Sequence, residues 1–394
     1  MKKEGNAMNV KVYILAMAAV TVGSVELIVG GILPIIAEAM QVGTGTAGQL
    51  ITVFALVYAV SGPVLLSLTA KYERKKLYLL SLLLFSLGNV LTFISPDFTW
   101  MMIARVITAS SASLVIVLSL TITPKLVEPA YRARALGVIF MGISSSLVLG
   151  VPIGIVLTNL IGWRFVFLVI ALLTVGAMGL VIKFIEPIEN EEVLPLRMQI
   201  KALGNFKIGS AHLAMMFMLA GHYTLYAYFT PFLQTTMGLN QSWISITYFI
   251  FGVAAVSGGA IGGTLADKIG VQKTILFVIG TFAVVLFLLP YATFSYPFFL
   301  VVMVIWGAFS WGLAPPQQEY ILQTDPETAG IHQSFNNSAL QVGIALGSGI
   351  GGFALERVNS VTATAQIGAG VVVISFLCAT ISFSLRSQPV QANK

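Results

Sequence analysis

Charged side chains are scarce in this sequence. They make up 9% of its 394 residues, while 57% are hydrophobic; an ordinary soluble domain carries roughly 25% charge. No soluble fold of this size buries so much apolar surface. Cysteine is almost absent: Cys378 is the only one, which excludes an intrachain disulfide framework. There are three histidines, of which His212 and His332 read as scattered near segment boundaries. No His, Cys, Asp or Glu group has metal-ligand spacing, so no metal or other cofactor is expected. A Walker-type phosphate loop is also lacking, which argues against direct ATP hydrolysis. No catalytic constellation marks an enzyme, and no soluble output domain marks a sensor.

Present instead are apolar blocks of about 18–23 residues, the length a helix needs to cross a hydrocarbon core of about 30 Å. The expected spans are 12–33, 47–69, 77–94, 100–122, 135–158, 163–184, 210–230, 243–265, 273–291, 297–317, 333–354 and 363–384. Pro34, Pro63, Pro152, Pro231, Pro315 and Pro316 fall in or beside them. Bilayer helices tolerate proline, so these are not by themselves helix-ending signals. Lys2, Lys3 and Lys11 before the first block resemble a signal peptide, but the block is too long, lacks a cleavage site and contains Glu26. It is read as a retained helix of an all-α membrane protein.

Basic residues fix the expected orientation. Lys2, Lys3, Lys11, Lys71, Arg74, Lys75, Lys76, Lys125, Arg132, Arg134, Lys183, Arg197, Lys201, Lys207, Lys268, Lys273, Arg386 and Lys394 fall on one side if the spans alternate. Arg164 and Arg357 are the exceptions, and Arg105 lies inside a span. Both termini are therefore expected in the cytoplasm. The formal charge of +6 follows from this bias toward anionic lipid, with no nucleic acid implied. The polar stretch 185–209 divides the spans six and six, giving halves 1–184 and 210–394 with a cytoplasmic linker between them. Ala59-Val60-Ser61-Gly62 matches Ala255-Val256-Ser257-Gly258, and Leu33-Pro34 matches Thr230-Pro231. Duplicated six-span halves around a midplane site are a transporter architecture, powered here by an ion gradient or the solute's own gradient.

Ionisable groups inside a span are costly and mark function. Glu26 lies about 12 Å from the outer end of span 1, and Arg105 lies at a similar depth in span 4, at 1.5 Å per residue. A buried carboxylate facing a cation can couple to protons; the alternative is a purely structural ion pair. In span 7, Gly221-His222-Tyr223-Thr224-Leu225-Tyr226-Ala227-Tyr228 offers stacking and hydrogen-bonding groups to a planar solute, with His222, Tyr223 and Tyr226 as candidates. An interfacial tyrosine belt is the alternative, and Tyr228 is assigned to it. Amides and an indole complete the candidate set: Trp311 and Gln318 at the end of span 10, and Asn336, Asn337 and Gln341 in span 11. They either face a wet cavity or only tie helices together. Glycine runs 258–263 and 343–352 permit close helix approach.

Several motifs resemble the major facilitator superfamily and its drug:proton antiporter branch. Gly263-Thr264-Leu265-Ala266-Asp267-Lys268-Ile269-Gly270 is similar to the family's gating loop. The equivalent first-half loop keeps Arg74 and its basic neighbours but lacks the Asp and both Gly residues. Arg105 falls where the family has a span-4 arginine associated with proton transfer. Gly150-Val151-Pro152-Ile153-Gly154 resembles the antiporter motif of span 5, with Val151 inserted between Gly150 and Pro152. The segments 25–34, 220–228 and 333–343 most resemble bacterial purine base and nucleoside efflux pumps. The resemblance implies twelve spans in two pseudo-symmetric halves, a bacterial cytoplasmic membrane and a monomer. It also implies alternating-access export of bases such as hypoxanthine and adenine, or their nucleosides and analogues, in exchange for protons. The solute would lie among spans 1, 7, 10 and 11. Sugar or multidrug efflux on the same scaffold is the alternative.

Overall fold

The computed structural model describes residues 10–189, 205–326 and 328–385. Most of the expected linker, and with it Arg197 and Lys201, lies outside the described residues, as do Lys2, Lys3, Arg386 and Lys394. Every regular element described is helical, and among the described residues eleven helices are long and apolar enough to cross a membrane.

The elements in chain order are α1 (Val10–Gly31), α2 (Leu33–Ala39), α3 (Thr44–Leu68), α4 (Arg74–Ile94), α5 (Phe98–Ile122) and α6 (Arg132–Ser145). A π turn, Ser146–Gly150, joins α6 to α7 (Val151–Ile161), and α8 (Trp163–Phe184) follows. Then come α9 (Phe206–Tyr226), α10 (Phe229–Met237), α11 (Gln241–Ile269), α12 (Val271–Leu288), α13 (Tyr296–Gly312), α14 (Ala314–Thr324), α15 (Ala329–Val358) and α16 (Val361–Ser384). The seventh expected span is α9 with α10. Its histidines and tyrosines lower its hydropathy, which is why it stands apart from the eleven.

Proline punctuates these spans more than the sequence suggests. Pro34, Pro152 and the pair Pro315-Pro316 each sit in the first turn of a new helix, where the missing N–H costs nothing. Pro63 alone of the six lies inside a long unbroken helix. The first span of each half breaks just before its Leu33-Pro34 or Thr230-Pro231 match, at Gly31 and at Tyr226, so the internal repeat is visible in the backbone.

Contacts divide the chain into two compact units. One comprises Met1–Val42, Val53–Val193 and Gln241–Phe249; the other comprises Gly43–Thr52, Leu194–Asn240 and Ile250–Lys394. Both α3 and α11 thus contribute to both units. In the first unit α1 packs on α5, α6, α7 and α8, and α4 lies between α5 and α8. In the second, α9 is enclosed by α15 and α16, and α12 packs on α13 and α16.

The closeness of α9 and α15 has a definite cause. A Cβ on Gly343, Gly347 or Gly351 would stand 2.3, 2.1 or 2.4 Å from the carbonyl oxygens of Met216, Ala220 and Thr224. Three glycines four residues apart therefore meet three carbonyls four residues apart, and backbone packs directly on backbone. This is the small-residue packing that replaces hydrophobic association in a bilayer.

At one end of the first unit, Lys11 pairs with Glu186 at 3.0 Å, Lys75 donates to Ile182 O and Lys125 donates to Glu189 O. Several of the basic residues expected on one side are gathered there. Arg164, an exception to the charge bias, is spent otherwise. Its Nη1 donates to Phe93 O (3.0 Å) and Ser95 O (2.6 Å), capping the carbonyls at the end of α4.

Candidate solute and proton sites

In the first unit, α1 holds Glu26 and α5 holds Arg105. Arg105 is 1% exposed. Its Nη1 donates to Val25 O at 3.2 Å, and its guanidinium lies 4.5 Å above the Phe54 ring. A desolvated cation–π contact of this kind contributes about 2 kcal/mol. Glu26 is half-buried and acts electrostatically on both Arg105 and Tyr58. The two charges expected to meet, if their helices adjoined, are brought into one neighbourhood by the packing of α1 on α5.

The span-5 motif lies against the same helix. A Cβ on Gly150 would stand 2.9 Å from Ser24 Oγ, and one on Gly154 would stand 1.8 Å from Ile28 Cδ1. These glycines let α7 approach α1 on either side of Glu26 in sequence. The π turn Ser146–Gly150 immediately precedes Val151. Pro152 O accepts from Ser245 Oγ at 3.1 Å.

In the second unit, an aromatic cluster surrounds His222. Its imidazole stacks on Tyr226 (5.0 Å, 25°) and Phe251 (6.1 Å, 9°), meets Tyr223 edge-on (5.2 Å), and lies 5.2 Å from Trp306. Trp306 in turn lies 4.8 Å from Phe251 and 5.2 Å from Phe229. Such pairs contribute about 0.5–1.5 kcal/mol each beyond area burial. Two polar atoms inside this cluster, His222 Nδ1 and Trp306 Nε1, are buried with no hydrogen-bond partner among the described residues. Each unmet group costs about 1–3 kcal/mol.

The structure brings His222, Tyr223 and Tyr226 together in one ring cluster, and it sets other candidates apart. Trp311 is 38% exposed, whereas Trp306 lies on the buried stripe Phe299, Met303, Trp306, Ser310 of α13. Gln318 and Asn337 are exposed, while their neighbours Gln317 and Asn336 are buried. Gln317 Nε2 donates to Ala211 O at 2.8 Å. Gln341 is buried on α15. The break at Leu313 resets the helical phase at Pro315-Pro316, so the buried face cannot be extrapolated across it. The stripe on α13 was the signal available for Trp306.

His212 and His332 are not scattered. His212 Nε2 lies 3.4 Å from His332 Nδ1 although the residues are 120 positions apart.

The expected gating loops differ in their anchoring. Gly270 closes α11 at φ +90°, a conformation that strains any side chain, while Asp267 and Lys268 are exposed and Gly263 is half-buried. In the first unit no glycine turn is needed. Glu73 caps α4, accepting from Lys75 N (2.8 Å) and Lys76 N (3.2 Å) as well as from Ile188 N (2.8 Å), and Arg74 is buried with its N–H bonded to Ile188 O. Partial burial pushes the Glu73 carboxyl up. The three N–H donors and the Lys76 ammonium outweigh it, leaving the group below its ordinary 4.5.

Residues 14–348 match the model of the Major Facilitator Superfamily. The chain belongs to the major facilitator superfamily. It is 37% identical to the uncharacterized MFS-type transporter YbcL of Bacillus subtilis (strain 168), with 98% of each chain covered. It is 28% identical to the inner membrane transport protein YdhP of Escherichia coli (strain K12), with 97% of each covered. Among solved structures it is similar to a bacterial homologue of the human lysosomal transporter Spinster, with TM-score 0.73 at 17% identity, over 95% of this chain and 96% of that one. This facilitator is therefore a multi-pass membrane transporter of a small-molecule solute, carried on the twelve-span fold that the sequence predicts.

Proposed function

We propose that this transporter exports purine bases, with their nucleosides and analogues, in exchange for protons. The observation that carries the reading is the ring cluster of the second unit, with His222 Nδ1 and Trp306 Nε1 both buried and unmatched. A flat heterocycle replaces ring–ring contact with ring–solute contact at little cost. Its ring nitrogens and exocyclic groups offer the donor and acceptor that these two atoms lack. A sugar would stack less well, and a cationic drug would find no carboxylate within this cluster.

Proton coupling is assigned to Glu26 with Arg105. Protonation of Glu26 removes a negative charge beside a buried cation, and that change biases one conformation over another. The halves 1–184 and 210–394 are the two bodies of an alternating-access cycle, joined by the 185–209 linker. Gly263, Asp267, Lys268, Gly270 and Arg74 serve as its gating loops, and Gly150, Pro152 and Gly154 support the Glu26 helix. The bias of basic residues toward one side supports an orientation with both termini in the cytoplasm, and the protein acts as a monomer.

The substrate class is tested by thermal protection of purified protein with hypoxanthine, adenine, a hexose and a cationic drug. Protection by the purines, reduced about tenfold in apparent affinity by Trp306→Phe, is the expected result, a loss equivalent to one hydrogen bond. Protection by the hexose or the drug alone contradicts the purine reading.

A further inference from the structure

A line of polar side chains in the second unit lies outside the ring cluster around His222, and of its members only Asn336 belongs to the candidate solute set. Asp325 follows α14, with 15% of its side chain exposed. Its Oδ2 accepts from Thr328 Oγ1 at 2.6 Å and lies 3.7 Å from His332 Nε2. The His332 side chain is 1% exposed, and its other nitrogen faces His212 Nε2 at 3.4 Å. The line ends where His212 Nδ1 meets Asn336 Oδ1 at 3.5 Å. Four side chains from three segments are thus strung from a partly solvated carboxylate to the buried face between α9 and α15. A surface histidine needs no such continuation inward.

The donor and acceptor roles along this line allow two arrangements that differ by one proton. Asn336 Oδ1 accepts only, so His212 Nδ1 must carry hydrogen; in a neutral His212, Nε2 must then accept from His332 Nδ1–H. In a neutral His332, Nε2 is then a bare lone pair aimed at the Asp325 carboxylate, which is repulsive unless a proton lies between them. Either the line holds one extra proton, or Asn336 turns its amide over and every hydrogen bond reverses direction.

We propose that Asp325, His332, His212 and Asn336 form a proton-binding relay in the second unit, separate from Glu26 and Arg105. A proton taken up on Asp325 Oδ2 passes to His332 Nε2 as the O–H bond breaks and the N–H bond forms. His332 Nδ1–H then breaks as His212 Nε2–H forms, leaving an imidazolium at His212 held by Asn336 Oδ1 and an aspartate at the solvent end. Nothing is oxidised or reduced. The separations of 3.4–3.7 Å shorten by about 0.5 Å to reach transfer distance, so the relay is sensitive to small shifts of α15 against α9. Other titratable groups on the packed helices are engaged elsewhere. Tyr320 bonds Ser382, Lys207 donates to Leu385 O, and Glu319 accepts from Gln323; on α16 the only titratable group is Cys378.

The relay rests on the transport reading only for the use made of its proton. Proton binding is therefore read without any solute. The full-length protein, labelled with ring-15N histidine and held in lipid nanodiscs, is titrated from about pH 8 to pH 5, the range in which imidazole changes charge. With three histidines in the chain, single substitutions assign every signal. The expected result is that His212 and His332 respond together to one shared proton while His222 stays still. Asp325→Asn weakens that uptake about tenfold, equivalent to one pH unit, and Asp325→Glu restores it. Independent titration of the two rings, or a His212 signal indifferent to both His332→Gln and Asp325→Asn, overturns the relay. Failure of purine protection leaves this result untouched, so the two readings fail separately.

Discussion

At the scale of single residues, the fold leaves some polar groups unmatched and over-matches others. His222 is enclosed by rings, and its Nδ1 lacks a partner among the described residues. Replacement by a ring of similar size with no polar atom removes an unmet group, so His222→Phe holds or raises the melting temperature while abolishing purine protection. Loss of stability together with protection would make His222 structural. Glu73 is the opposite case, with its carboxylate bonded to three backbone N–H groups. Its folded-state value lies below 4.5, so its stabilisation is complete above that value and fades as pH falls through the folded one. Glu73→Gln lowers stability by about 1 kcal/mol at pH 7. Thermal unfolding of mutant and wild type should converge at acid pH, where both carry a neutral group.

The residue scale is also where the sequence is hardest to read. Glu26 and Arg105 stand out in the sequence because a charge inside an apolar run is costly wherever it lies. The sequence points to Trp311 and Gln318 rather than Trp306 and Gln317, and to Asn336 and Asn337 alike, because composition reveals the span but not its rotation. At Gln317 and Gln318 one residue of phase, reset by the Pro315-Pro316 pair, separates the buried face from the exposed one. The His212–His332 contact was illegible for a different reason: no local pattern links positions in separate spans.

At the scale of elements, α9 and α15 show how glycine placement sets geometry. The run Gly343, Gly347, Gly349, Gly351, Gly352 reads as a packing surface, and the structure sorts it by face. Gly347 meets Ala220 O, whereas the nearest atom to a Cβ on Gly349 is Thr52 Oγ1 at 4.0 Å. Gly347→Ala therefore forces backbone apart and costs about 1–3 kcal/mol. Gly349→Ala gains up to about 1 kcal/mol from helix propensity. Melting of the two variants in detergent should diverge in sign. Equal effects would mean that the α9–α15 approach does not depend on these glycines. Because α9 carries His212 and His222, and α15 carries His332 and Asn336, the same glycines set the helix approach on which both the proposed solute cluster and the proposed relay depend.

At the scale of the whole molecule, the twelve-span fold was legible almost completely, since block length and scarcity of charge are properties of long windows. The internal repeat was legible from two short matches, and the breaks at Gly31 and Tyr226 repeat it in the backbone. Less legible was the sharing of α3 and α11 between the two units, which depends on packing at one end of each helix. Family membership establishes transport; the direction, the solute and the proton are the proposal. All three meet in one assay. Radiolabelled adenine or hypoxanthine is followed in proteoliposomes under an imposed pH gradient, with wild type beside Glu26→Gln. Gradient-driven accumulation is expected of wild type, and of Glu26→Gln only exchange down the purine's own gradient. Equal accumulation by both proteins, or none by a wild type that is folded and correctly inserted, would contradict proton-coupled purine export through Glu26.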